Sequence, residues 1–147
     1  MSLVLGTQPV LRFSKAGPVD IQGVSYEPKT IFFQKTITTA VSETNAVITL
    51  PAGSYITHAL AICHTVADGN TRVSLGITTT STSLIAFTNF SMATAGNYNT
   101  FTNGVYYHTA PTLMLTVGGT PVAGVARFAV EYYELGAMIS QGLHFDL

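Results

Sequence analysis

PTLMLTVGGTPVAGVARFAVEYYEL, residues 111–135, is the stretch that decides the fold. Leu113, Leu115 and Val117 alternate with Thr112, Met114 and Thr116, the period-two pattern of a strand with one buried face. A glycine-rich turn over residues 118–124 then reverses the chain. Ala126, Phe128, Val130 and Tyr132 repeat the alternation on the way back. Two such runs predict antiparallel strands whose apolar sides share a core. Arg127 and Glu131 fall on the other face of the last strand, too far apart along it to pair with each other. Each is expected to find a cross-strand or intersubunit partner. Tyr132 and Tyr133, being adjacent, are expected to point to opposite faces.

Upstream the same grammar recurs. Residues 30–38 (TIFFQKTIT) are rich in strand formers, and 46–50 form a shorter strand closed by Pro51-Ala52-Gly53. Residues 55–66 read as the longest strand, with no charged residue on either face. Asp68-Gly69-Asn70 makes a turn. Residues 72–77 place Val73, Leu75 and Ile77 on one face. The Thr/Ser run 78–83 reads as a polar loop or an edge strand, 84–90 as a strand, 89–103 as a long loop, and 105–109 as another strand. About eight strands at short spacing predict an all-β antiparallel sandwich, jelly-roll-like, over residues 30–135.

The flanks differ. Within residues 1–29, Gly6, Pro9, Gly17, Pro18, Gly23 and Pro28 interrupt short apolar pieces, which argues against a helix and for an extended arm carrying one or two short strands. Leu3, Val4, Leu5, Val10, Leu11 and Phe13 make that arm too apolar for a free linker. The tail 136–147 (GAMISQGLHFDL) carries Met138, Ile139, Leu143, Phe145 and Leu147, and should also be docked on a surface.

Composition narrows the function classes. Asp, Glu, Lys and Arg make up 9% of the 147 residues, against about 25% in an ordinary soluble domain. Six Lys and Arg with a net charge of −1 exclude a strongly electrostatic nucleic-acid binder. No apolar run approaches the roughly 18 residues of a membrane span, and no secretory leader is visible at the start. The single cysteine excludes an intrachain disulfide framework and a cysteine-based zinc site. A surface of Thr, Ser, Asn and Gly suits burial against identical neighbours, because few charges then need desolvating.

Candidate chemistry is sparse. His58 and His64 share a strand face but lie about 20 Å apart, too far to grip one metal. They read as core or edge histidines. Cys63 points away from His64 and reads as a small buried hydrophobe. No spacing of acids suits hydrolysis of a glycosidic bond, and no nucleophile elbow, phosphate loop or zinc-protease motif is present. Neither a catalytic residue nor a cofactor or metal site is expected. The one candidate ligand segment is the Asn- and Tyr-rich stretch with Tyr98, Asn99, Asn103 and Tyr106, where Tyr98, Phe101, Tyr106 and Tyr107 could stack on sugars. The competing reading is that Tyr106 or Tyr107 fills the core and the other pads an interface.

Four pieces in order then resemble small β-sandwich proteins of tailed-bacteriophage virions: LPAGSYI (50–56), TVADGNTRVSLGITT (65–79), TAG (94–96) and the closing hairpin 111–135. Proteins of this type serve as head decoration (cement) proteins, head fibres, or tail-associated and fibre-tip modules. The resemblance implies a structural virion protein without enzymatic activity, made in the host cytoplasm and carried on the outer capsid surface. The arm and tail favour a decoration subunit, a homo-oligomer with a trimer favoured, that contacts the major capsid protein through Val4, Leu5, Arg12, Phe13, Met138, Ile139 and Phe145. The alternative is a receptor- or carbohydrate-binding module of a fibre tip or tail.

Overall fold

A computed structural model describes residues 19–21 and 24–136. Two short strands, β1 (Val19–Ile21) and β2 (Val24–Tyr26), form an antiparallel hairpin within the segment read as the arm. The main body follows: β3 (Lys29–Ile37), β4 (Glu43–Thr49), β5 (Ser54–Thr65), β6 (Thr71–Ile77), β7 (Thr80–Ile85), a 3-10 turn at Phe87–Asn89, β8 (Tyr98–Phe101), β9 (Val105–Tyr107), β10 (Thr112–Gly119) and β11 (Gly124–Glu134). One sheet runs β4-β10-β6-β7. The other runs β3-β11-β5-β8, with β9 also on β5.

With β9 set aside, the strands pair as one folded ribbon: β3 with β11, β4 with β10, β5 with β8, and β6 with β7. Successive pairs fall in opposite sheets, so the ribbon is rolled into two layers, the jelly-roll arrangement. The core lies between the layers. Val73, Leu75, Leu113, Leu115 and Val117 descend from one sheet onto Ala59, Ala61, Cys63, Ala126, Phe128 and Val130 of the other. Large aliphatic side chains thus meet small ones, which lets the two surfaces interdigitate at interior density. Phe128 stacks on Phe33 of the neighbouring strand, with ring centroids 5.1 Å apart and an interplanar angle of 12°.

Two expectations are corrected and an open alternative is decided. The segment 89–103 is not all loop, because Tyr98–Phe101 pairs with β5 as a strand. The strand expected at 84–90 ends at Ile85, after which the chain turns through Phe87–Asn89. The Thr/Ser run does supply an edge strand, since β7 pairs only with β6. Tyr132 and Tyr133 are both buried, but only Tyr132 belongs to the core between the sheets, so the outward member of the pair is covered rather than exposed. The register of β11 on β5 slips between Glu131 and Tyr132, leaving Thr57 as an extra residue in β5. Such a bulge sharpens the local twist and breaks the inside–outside alternation there.

That bulge also sets the faces of β5. Ile56 and Thr57 are both buried, and beyond them Ala59, Ala61 and Cys63 point inward while His58, Leu60 and Ile62 point outward.

Candidate interaction surface

The outer face of the β3-β11-β5-β8 sheet can be built row by row from its register. Phe32 lies beside Ala129, Ala129 beside Leu60, and Leu60 beside Thr100. The next row is Gln34, Arg127, Ile62 and Tyr98, and the row on the other side is Thr30, Glu131 and His58. These side chains alternate with the inward Ile31, Phe33, Val130, Phe128 and Ala61, so the strand period alone sends them out. Phe32 is 78% exposed and Tyr98 66%. Leu60, Ile62 and Ala129 are half-buried between them. The result is an apolar strip across the middle of the sheet, with polar groups along both sides.

The polar flanks are held in place. Arg127 Nε donates to Gln34 Oε1 at 3.1 Å. Thr57 Oγ1 donates to Glu131 Oε1 at 2.7 Å, and His58 Nδ1 lies 3.2 Å from the same oxygen. Arg127 and Glu131 have therefore each found a cross-strand partner. At the sheet margins Lys29 Nζ lies 2.9 Å from Glu134 Oε2, and that carboxylate raises the Lys29 pKa above its ordinary value. Lys35 pairs with Glu43 and bridges the two sheets.

His58 and Glu131 form a hydrogen-bonded pair, and the Thr57 hydroxyl that shares the same carboxylate oxygen is buried beneath them. His58 and His64 are both exposed, which corrects the expectation of core histidines; β5 is an interior strand, so neither are they edge residues. Cys63 is fully buried, its Sγ 3.7 Å from the Met92 carbonyl oxygen, and burial pushes its thiol pKa up. Among the described residues no group of three or more His, Cys, Asp or Glu could hold a metal ion. None of their helices is long and apolar enough to cross a membrane.

The candidate ligand residues are dispersed. Tyr98 sits opposite Ile62 and Tyr106 opposite Tyr55, seven positions apart along β5, or about 23 Å. Asn99 is on the inward side of β8 and half-buried, and Asn103 is exposed in the turn after that strand. Tyr106 is exposed while Tyr107 and Phe101 pack against the core. The structure does not bring Tyr98 and Tyr106 onto one platform. Val4, Leu5, Arg12, Phe13, Met138, Ile139 and Phe145 lie outside the described residues.

Sequence reasoning missed Phe32, although a signal was present. Consecutive phenylalanines on one strand must face opposite sides, so Phe32-Phe33 announces an aromatic outside the core.

No family model matches the chain, and no curated protein matches it at a significant level. Solved structures do. A chain of the cyanophage Pam1 capsid asymmetric unit superposes with a TM-score of 0.54 at 18% identity, covering 90% of this chain and 96% of that one. The fold is one found in phage capsids. A chain of the acid-stable capsid of the Helicobacter pylori bacteriophage KHP30 gives 0.52 at 13% identity, covering 72% of this chain and 92% of the other. At such identities the likeness is one of fold. The phage-capsid fold is shared while the side chains on its faces are free to differ, so the Phe32 strip has to be read from this chain itself.

Proposed function

We propose that this protein is a structural component of a phage virion, a decoration subunit that binds the outer surface of the head and stabilises it without catalysis. The observation that carries the reading is the Phe32 face: a large aromatic left 78% exposed on the edge strand of a sheet, at one end of an apolar row, and the most exposed large hydrophobic among the described residues. Burying an exposed phenylalanine contributes about 1.5–3 kcal/mol, and large aromatic side chains dominate the energetics of interfaces. The shared fold with phage capsid chains supports the setting. In this reading the face seats on the major capsid protein. The apolar residues of the arm and tail add contacts to neighbouring subunits, in a trimer.

The test is reconstitution. Purified protein is added to capsids that lack it, and bound copies are counted by electron microscopy. Phe32→Asp should keep the circular dichroism spectrum and thermal transition of the parent but bind at least tenfold more weakly. If Phe32→Asp decorates heads at parental occupancy, the assignment of this face is wrong. If the parent binds no part of the particle, the decoration reading itself fails.

A further inference from the structure

At the far side of the molecule the turn before β6, the Phe87–Asn89 turn and the loop 90–97 enclose an open cavity of about 400 Å³, lined by Gly69, Thr71, Arg72, Phe87, Thr88, Asn89, Phe90, Ser91 and Asn97. Two glycines make room for it. Gly69 has nothing within 4 Å of where a Cβ would stand, and Gly118, paired with Arg72 in the sheet, has only the tip of the Phe87 ring at 3.9 Å. The hollow is therefore on the outer face of the β4-β10-β6-β7 sheet, with Phe87 and Arg72 beside each other along its floor.

The polar groups there are largely unspent. The described residues include four Lys and Arg. Lys29 pairs with Glu134, Lys35 with Glu43, and Arg127 with Gln34. Arg72 alone has no such partner among the described residues, in a chain where charge is scarce. The nearest acid in sequence, Asp68, spends its Oδ1 on the backbone amides of Asn70 and Thr71 and on the Thr71 hydroxyl. No carboxylate lines the cavity. Asn97 is braced by its Nδ2 donating to the Ser91 carbonyl at 2.8 Å, which leaves its Oδ1 as an acceptor. Asn89 and Thr88 are exposed with no side-chain bond inside the described residues. The site offers one guanidinium fork, several amide and hydroxyl groups, and one half-buried aromatic ring.

We infer that this cavity binds an acidic saccharide, one sugar unit carrying a carboxylate. The guanidinium of Arg72 matches a carboxylate in planar, bidentate fashion. The Asn89 and Asn97 amides and the Thr88 hydroxyl match ring hydroxyls, and the Phe87 ring matches the apolar C–H face of a pyranose. The volume lies in the range of small-ligand sites. An acidic peptide would use Arg72 but would leave the aromatic and the amides without a role, so the saccharide is the better fit. The inference does not depend on the decoration reading, because the cavity and the Phe32 face lie on opposite sheets.

The probe is a uronic-acid trisaccharide titrated into the full ¹⁵N-labelled chain, with the neutral trisaccharide and a glutamate-rich peptide as comparisons. The expected result is saturable shifts of the Arg72, Asn89 and Asn97 signals with the acidic sugar, and about tenfold or greater loss of affinity for Arg72→Gln. Phe87→Leu should weaken binding while keeping the fold, and Arg127→Gln should leave binding unchanged. Three results would overturn the inference: no shifts at millimolar sugar, equal binding of the neutral sugar, or tighter binding of the peptide than of the saccharide.

Discussion

At Gly76, one residue before the end of β6, a Cβ would stand 2.2 Å from the Thr80 carbonyl oxygen and 2.4 Å from the Ser81 carbonyl carbon. Both are backbone atoms of the returning strand, so neither can swing aside. Gly76→Ala should therefore cost about 1–3 kcal/mol, seen as a fall in Tm of several degrees; an unchanged Tm would mean the β6–β7 hairpin yields freely. Cys63 gives a second check at this scale. Its thiol is buried and its pKa raised. The unfolded chain ionises that thiol first, so the stabilisation it gives is complete below the ordinary thiol range, near about pH 8.5, and is lost as pH rises through the folded value. Native protein at pH 8 should resist a thiol reagent that labels the unfolded chain at once. Stoichiometric labelling of the native protein would place Cys63 at the surface.

Single strands obey the alternation until a bulge intervenes. The extra residue at Thr57 shifts which side chains of β5 look inward, and its hydroxyl ties Glu131 to the bulge. Deleting Thr57 would remove the bulge and leave an unbroken ladder, with Ile56 on Tyr132, His58 on Glu131 and Ala59 on Val130, so the faces of β5 are kept while the Thr57 bond to Glu131 and the local twist are lost. That variant should keep its near-ultraviolet circular dichroism and a cooperative melt, with Tm lowered by several degrees; loss of the cooperative melt would mean that the sheet cannot form without the bulge. Glu131→Gln is the mild counterpart. It keeps an acceptor for Thr57, and its cost should stay below about 1 kcal/mol because His58 is solvent-facing.

For the whole molecule, the two sheets carry different surfaces. One presents the Phe32 strip; the other presents a threonine-rich face, where Thr44 pairs with Thr116 and Thr49 with Thr112 through their hydroxyls, and the Arg72 cavity at its end. If attachment to a capsid works through the apolar strip, it should persist when salt is raised to 1 M, because burial of apolar surface is not screened. Occupancy that collapses with salt would shift the contact to charged groups.

The closing hairpin, the strand-rich composition and the turn residues determined an all-β sandwich from sequence alone, because a period of two with one apolar face has few other ways to be satisfied. The inward sets Leu113, Leu115, Val117 and Ala126, Phe128, Val130 were legible for the same reason. The short β8 inside an Asn-rich stretch was not, because four residues between turn signals carry too little periodicity to stand out, and pairing with the long β5 is what makes them a strand. The candidate surface was half legible. Two adjacent phenylalanines had to part across the sheet, but only the register of three strands sets Phe32, Leu60, Ile62 and Tyr98 on one face. The Arg72 cavity was invisible in sequence, since its walls come from three turns brought together by the roll of the ribbon, and the distance between residues along the chain says nothing of that closure.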